Sequence, residues 1–257
     1  MNSTLRTILV FVALVMAVLI ASTVYRGTAV PQETAPAAEA VPVDESTLHP
    51  EMRHGLRALS EGRDDAAIVH FRAVPADSPD FGAAQLRGAI ALAKRGDLKE
   101  AQLALFAVSE RNPDNPEVLA SLAWLFYLDA DYDRAERTAL RTLELDPAHL
   151  DTRYNIALYR VGQGRTQAAV RSYLRAMRED PAGREISVHR ERLYTFHESH
   201  PDVPAGHYAL AFLANSMQDR RTEIDELEHF LELVPEGSEA ESARQKLSEA
   251  REILGAS

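Results

Sequence analysis

Cysteine is absent from the 257 residues of this chain. Its absence excludes disulfide bonds, catalysis by a thiol, zinc sites with cysteine ligands and a lipid-modified N-terminal cysteine. Lysine is nearly absent, with only Lys94, Lys99 and Lys246, and the formal net charge is −11. Because proteins bind phosphate backbones through a surplus of basic residues, we do not expect a nucleic-acid partner.

Motifs of enzyme active sites are also missing. The sequence contains no glycine-rich phosphate loop, no nucleophile elbow and no zincin helix. Asp129, Asp131 and Asp133 imitate the start of a calcium-binding loop, but Arg134 stands where that loop needs glycine and Leu140 where it needs glutamate. These aspartates instead predict a turn between two helices. We expect no catalysis and no cofactor.

One long apolar run is present, near the N-terminus. Residues 7–25 are 19 uncharged residues, and as a helix they would reach ~28 Å, about the thickness of a bilayer core. A cleaved signal peptide is the alternative, although no small-x-small cleavage site follows the run. We predict a transmembrane anchor over residues 1–26, single-pass in a bacterial inner membrane, with the rest of the chain in the periplasm.

The segment after the anchor has the composition of a tether. Residues 27–47 contain three prolines, several alanines and four acids, with no large apolar residue other than valine. Such a segment cannot bury enough apolar surface to offset the entropy of ordering it. We therefore predict a disordered linker here and a folded domain over residues 48–257.

A repeat of 34 residues organises that domain. Its marks are prolines, small residues and alanines at this constant interval: Pro79, Pro113, Pro147 and Pro181; Gly62, Gly96, Ala130 and Gly164; Ala67, Ala101, Ala135 and Ala169. A period of 34 residues is typical of antiparallel helix pairs that stack on one another. Numbered from Leu48, the repeats are predicted at 48–81, 82–115, 116–149 and 150–183.

Within the third repeat, Leu122 and Ala123 occupy positions 7 and 8, Ala135 position 20 and Pro147 position 32, and the segment DYDRAERTALRTLELDP forms its second half. This pattern resembles the tetratricopeptide repeat (TPR). The resemblance implies an all-α fold, a right-handed α-solenoid of helix hairpins, here with an N-terminal transmembrane helix and a C-terminal capping helix.

After Pro181 the sequence leaves two arrangements open. In the first, 184–200 is an extra helix, 204–235 is a degenerate repeat with Glu223 as a misfit at position 20, and 238–254 is the cap. In the second, 184–200 pairs with 204–217, and 220–233 pairs with 238–254. We expect the first arrangement.

In TPR proteins the concave surface is lined by positions 2, 5, 9, 12 and 13 of each first helix, and Asn155 at position 6 could bind a peptide backbone. The resemblance therefore implies an apolar and aromatic groove that binds a protein or peptide segment of apolar or amphipathic character. An alternative is that helix 184–200 lies in this groove. The residues predicted to bind the partner are Leu86, Ile90, Trp124, Tyr127, Tyr154, Asn155, Leu158, Tyr208, Phe212 and Asn215.

These features predict a membrane-anchored scaffold or adaptor in a bacterial envelope assembly. A periplasmic holdase for an unfolded client is an alternative, since the layout is distantly similar to the TPR subunits of bacterial cytochrome c maturation. A second alternative is a metal-dependent activity on helix 184–200, where His189, His197 and His200 share one side. No metal site is among the expected binding residues.

Overall fold

The computed structural model describes residues 47–255, which form twelve α-helices and contain no strand. No helix among them combines the length and apolar character needed to cross a bilayer. The predicted anchor and nearly all of the predicted tether lie outside the described residues. The helices are α1 (Pro50–Ser60), α2 (Asp64–Arg72), α3 (Phe81–Arg95), α4 (Leu98–Arg111), α5 (Pro116–Leu128), α6 (Tyr132–Leu145), α7 (Leu150–Gly162), α8 (Thr166–Glu179), α9 (Ile186–Ser199), α10 (Pro204–Ser216), α11 (Arg220–Leu233) and α12 (Ser238–Gly255).

The turn inside each helix pair is made at position 15 of the repeat. The backbone is left-handed at Gly62, Gly96 and Gly164, with φ between 68° and 94°. Ala130 takes the same conformation, with φ 57°. Glycine adopts this conformation without a steric penalty, which is why it recurs at this position.

Small residues at positions 8 and 20 let the two helices of a pair approach closely. The position-8 residues Ala89 and Ala157 are fully buried, as are all four alanines at position 20. In the first pair the contact is tighter still, because a Cβ on Gly55 would lie 2.5 Å from the ring of Phe71. Close packing of this kind excludes larger side chains at these positions.

Each hairpin packs mainly on the next one along the chain. The hairpins are α1 with α2, α3 with α4, α5 with α6, α7 with α8, and α10 with α11. Helix α10 packs against α8 as well as α11, so the fifth hairpin stacks directly on the fourth and α9 is an additional helix. The misfit Glu223 is buried in this hairpin, where Asn215 and Arg220 donate hydrogen bonds to its carboxylate at 2.6 and 2.5 Å.

The ends of the stack have separate apolar clusters. At the first hairpin, α2 stops at Arg72, and Val74 is buried with Met52 and Phe71. At the other end, α12 covers α11 and places Ala243 and Leu247 against Tyr208 and Phe230. A continuous core runs between these clusters through the middle hairpins.

Candidate interaction surface

Helix α9 lies against the first helices of three hairpins, on the side where the groove is predicted. It contacts α7 and α10, and its side chains also reach α5. We call the residues of α5 and α7 that it contacts the α9 seat: Trp124, Tyr127, Asp151, Tyr154 and Asn155. The alternative in which helix 184–200 occupies this surface is the arrangement that the structure shows.

A buried arginine holds α9 in the seat. Arg192 is 3% exposed, and its Nη1 donates to Asp151 Oδ1 at 2.7 Å and to Asn155 Oδ1 at 2.9 Å. Its guanidinium lies 5.0 Å from the centre of the Trp124 ring, within the range of a cation–π contact. An ion pair removed from solvent in this way is strongly directional, which gives α9 one position along the seat.

His189 adds a second polar contact one turn earlier on α9. Its ring stacks on Tyr154 at a centroid distance of 4.5 Å, and its Nε2 lies 3.2 Å from Asp151 Oδ1 without the alignment of a hydrogen bond. Burial would raise the pKa of Asp151, but the contact with His189 and the charge of Arg192 outweigh it and hold that pKa well below its usual value. Burial lowers the pKa of His189, although Asp151 opposes the shift. The Asp151 carboxylate is therefore charged beside a neutral imidazole at neutral pH.

The second half of α9 is held by aromatic contacts. Phe196 lies between Tyr127 and Tyr132, at centroid distances of 6.4 and 6.1 Å, and Leu193 is fully buried beside it. Rings at these separations and tilts attract each other in addition to burying apolar surface.

The ten residues predicted to bind a partner fall into three groups. The first group lies on α5 and α7: four of its members contact α9, namely Trp124, Tyr127, Tyr154 and Asn155. The fifth member, Leu158, is buried in the continuous core. Leu86 and Ile90, on α3, are half-buried. The remaining three, Tyr208, Phe212 and Asn215, lie on α10: Tyr208 packs under α12, Phe212 packs on the core and Asn215 binds Glu223. A single open groove of ten residues is therefore not present, and the binding role of these residues stays a prediction.

An exposed apolar row crosses the opposite helices of the hairpins. It consists of Phe106, Leu140 and Leu174, which we call the outer row, with exposures of 40%, 42% and 39%. Each stands at position 25 of its repeat, on α4, α6 or α8. Because the hairpins stack in register, equivalent positions on successive second helices face the same side.

A cleft widens the apolar surface beyond the α4 end of this row. It has a volume of about 360 Å³, its floor is α3, and α2 and α4 form its walls. Gly88 and Ala89 leave the space at the floor, while Phe71 and Leu103 line the sides. Leu103 is 69% exposed, and Val69 on α2 is 64% exposed.

Arginines flank the outer row at equivalent positions. Arg137 and Arg171 stand at position 22, and Arg141 and Arg175 at position 26, so each leucine has an arginine one residue after it and another three residues before it. All four side chains are in exposed residues. Arg141 forms ion pairs with Asp114 and Glu144, and Arg175 lies 3.7 Å from Glu179. Among the described residues, Arg137 and Arg171 are therefore the flanking charges that remain for a partner. Sequence reasoning missed this row, although the 34-residue spacing of its members could have revealed it.

The histidines and aspartates singled out by the sequence have separate environments. His189 faces Asp151, His197 packs against His207, and His200 stacks on Phe196, so the three do not converge. Asp131 caps α6, accepting a hydrogen bond from the Arg134 amide at 2.9 Å. The acidic segment is therefore the turn between α5 and α6 that the sequence predicts, with Asp131 as the capping residue.

Comparison with known proteins supports repeats of the kind described. The family model described as tetratricopeptide repeat matches residues 58–125. A comparison with curated proteins found no match. Among solved structures, MamA of Desulfovibrio magneticus RS-1 is 16% identical, covering 72% of this chain and 93% of its own, with a TM-score of 0.49. A thermophilic TPR protein of Thermus thermophilus is 18% identical, covering 78% of this chain and 96% of its own, with a TM-score of 0.48.

Proposed function

We propose that this TPR-containing chain is a scaffold or adaptor that binds a protein partner through the outer row and the neighbouring cleft. The observation that carries the proposal is the recurrence of an exposed large apolar side chain at position 25 of three successive repeats. An apolar surface built from exposed side chains of successive repeats is typical of a site that a partner covers. Residues 7–25 would tether this scaffold to a bacterial inner membrane, with the repeats in the periplasm.

The charges around the outer row define the partner's chemistry. The exposed arginines Arg137 and Arg171 flank Leu140 and Leu174, so the complementary segment carries apolar residues with aspartate or glutamate beside them. An amphipathic helix of this composition would lay its apolar face along the row. The cleft at the end of the row would receive one further apolar side chain, beside Leu103.

The α9 seat is a less suitable docking site. Arg192, Leu193 and Phe196 are each at most 3% exposed, so a partner would have to displace a helix that buries an ion pair and two large apolar side chains. Breaking a buried ion pair by removing one partner costs ~3–5 kcal/mol. Leu86 and Ile90 remain the uncovered part of the predicted groove and serve as the competing surface in the test.

The test is recovery of partners from solubilised membranes by the full-length chain. We expect the wild type to retain one protein in fixed stoichiometry, and the double variant Leu140→Glu/Leu174→Glu to lose it. Val188→Glu is the matched control, because Val188 is equally exposed, at 39%, but lies on α9. Reversal of the flanking charge by Arg137→Glu/Arg171→Glu should weaken retention most at low salt.

Four outcomes would contradict the proposal. The partner could be retained equally by the wild type and the outer-row variant, or lost only on Leu86→Glu/Ile90→Glu, which would return the site to the predicted groove. Light scattering could instead show that the wild type self-associates through the row, making a second copy the occupant. Recovery of many unfolded clients would favour the holdase alternative, which no observation among the described residues supports.

A further inference from the structure

Two histidines and a glutamate from three different helices meet near the end of α9. His197 comes from α9, His207 from α10 and Glu226 from α11, and one potential ligand atom of each lies within 4.8 Å of the other two. The rings of His197 and His207 are 4.3 Å apart at 72°, and His207 Nδ1 lies 2.7 Å from Glu226 Oε2. Neither the outer row nor the α9 seat includes these residues.

We propose that these three side chains bind a divalent transition-metal ion of the zinc class, which fastens α9 to the fifth hairpin. Two imidazoles and one carboxylate are a donor set that suits Zn²⁺, with water as the fourth ligand. Bonds of 2.0–2.2 Å in a tetrahedral site place ligand atoms roughly 3.3–3.6 Å apart. Small side-chain rotations therefore close the site around an ion.

The surroundings of His207 leave its Nδ1 available to the ion. Its Nε2 lies 3.0 Å from the carbonyl oxygen of Pro201, which can only accept, so the Nε2 proton is held there. Metal-binding histidines characteristically donate their second ring nitrogen to a carbonyl or carboxylate in this way. An ion at Nδ1 would take the place of the proton that His207 now shares with Glu226.

One ring nitrogen of His197 belongs to the same cluster. Its Nδ1 is buried and has no hydrogen-bond partner among the described residues. The neighbouring Gly206 makes room for the ring, since even a Cβ there would lie 3.4 Å from Nδ1. A buried polar atom without a partner is uncommon, and an ion would satisfy it.

The consequence of binding would be structural. Helix α9 reaches its seat through contacts with α5 and α7, while the three ligands connect its last turn to α10 and α11. An ion shared by three helices adds its binding free energy to the folded state only. Exchange of the α9 amides with solvent should therefore slow when the ion is bound.

The experiment is titration of the metal-free full-length chain with Zn²⁺, by calorimetry and by competition with a chromogenic chelator. We expect one equivalent of Zn²⁺ to bind to the wild type. In His197→Gln and in Glu226→Gln the affinity for Zn²⁺ should fall at least about tenfold, because losing even a residue that only orients a metal ligand lowers affinity by about that factor. His200→Gln is the matched control, because His200 lies three residues further on but its Nδ1 faces the Phe196 carbonyl at 3.0 Å. Glu226→Gln keeps the size of the side chain and so guards against loss of folding.

Hydrogen exchange gives a second readout that does not depend on counting ions. Zn²⁺ should slow exchange in residues 186–199 of the wild type and of His200→Gln, and leave His197→Gln unchanged. Equal affinity in all variants, no binding, or loss of binding only on His54→Gln would overturn the proposal. The last result would place the ion at Glu51, His54 and His70, a second cluster with suitable geometry.

Discussion

Single residues in the turns between paired helices carry the repeat geometry of this protein. In four of the five hairpins the position-15 residue is glycine or alanine, and in the fifth it is Gln218, with φ 62°. Ala130 and Gln218 are the non-glycine residues that adopt positive φ among the described residues. A left-handed conformation brings the Cβ of an L-residue close to the following carbonyl oxygen, at a cost of roughly 1–2 kcal/mol.

Glycine at position 130 should stabilise the protein. The Ala130→Gly substitution removes the steric cost of positive φ, while the greater freedom of glycine in the unfolded chain offsets part of that gain. We expect the free energy of unfolding to rise by about 0.5–1 kcal/mol, measured by urea denaturation. The control is Ala83→Gly, at an exposed helical position in α3, which should lower it by a similar amount. A lower stability for Ala130→Gly than for the wild type would contradict the strain argument.

At the scale of elements, α9 differs from the other helices in how it is held. Paired helices meet through alanines and large apolar side chains, whereas α9 is centred on Arg192, Asp151 and His189. Polar contacts of this kind are strong only while each group keeps its charge state, because an unpaired buried charge is costly. The position of α9 should therefore depend on pH.

Acidification should loosen α9 through His189. The charged and titratable groups around this ring are Asp151 on α7, Arg192 on α9, Asp180 after α8 and Glu185 just before α9. The ring of Tyr154 stacks on it. Its pKa is lowered in the folded state, so the unfolded chain, with an ordinary value near ~6.5, binds the proton first as the pH falls. The contribution is complete above that value and is lost between about pH 6.5 and the lower folded pKa.

The measurement is the urea midpoint from pH 8 to pH 5, in wild type and His189→Asn. We expect a shallower fall in stability for His189→Asn over this range, while His200→Asn follows the wild type. The lowered pKa of Asp151 adds a further loss only below about pH 4, the ordinary range of a carboxyl group. Parallel profiles for wild type and His189→Asn would show that His189 does not couple α9 to pH.

At the scale of the whole described domain, stability is shared between neighbours in a row. Each hairpin contacts mainly the hairpins before and after it in the chain. The fifth hairpin, α10 with α11, is the last in the described domain, so one of its faces is not covered by another hairpin. Helix α12 takes that role and covers Tyr208, Leu227 and Phe230. The hydroxyl groups of Tyr208 and Ser242 also lie 3.2 Å apart across this interface.

Removal of residues 238–257 should destabilise the end of the stack first. Exposing three large apolar side chains, each contributing ~1.5–3 kcal/mol when fully buried, should lower stability by several kcal/mol. Hydrogen exchange should show the largest acceleration in α10 and α11 and a smaller one in α5 and α6. Ile253→Ala is the control, because Ile253 lies on α12 but is 50% exposed. Uniform acceleration throughout the domain would instead indicate one cooperative unit.

Periodicity made the hairpins predictable from residues alone. The glycines, alanines and prolines at intervals of 34 act within one repeat, on neighbours close in sequence, and the structure confirms an all-α fold. Residues 58–125 also match the tetratricopeptide repeat family. The residues of the outer row recur at the same interval of 34. They could have been predicted as the large apolar residues that recur at a repeat position not expected to be buried. The predicted transmembrane anchor and the partner remain predictions.

What the sequence by itself determined is therefore the repeated unit: where the turn between paired helices lies, and which small residues let the pair close. Only the tertiary structure decided where α9 lies and that it covers part of the predicted groove. The contacts that place it join Arg192 to Asp151 and Asn155, 41 and 37 residues away. These pairings occur once and have no counterpart in the other repeats. A hairpin is formed by residues close in sequence, and their repetition in the chain makes it predictable. A single ion pair between distant residues does not repeat, so its partners can be identified only from the folded structure.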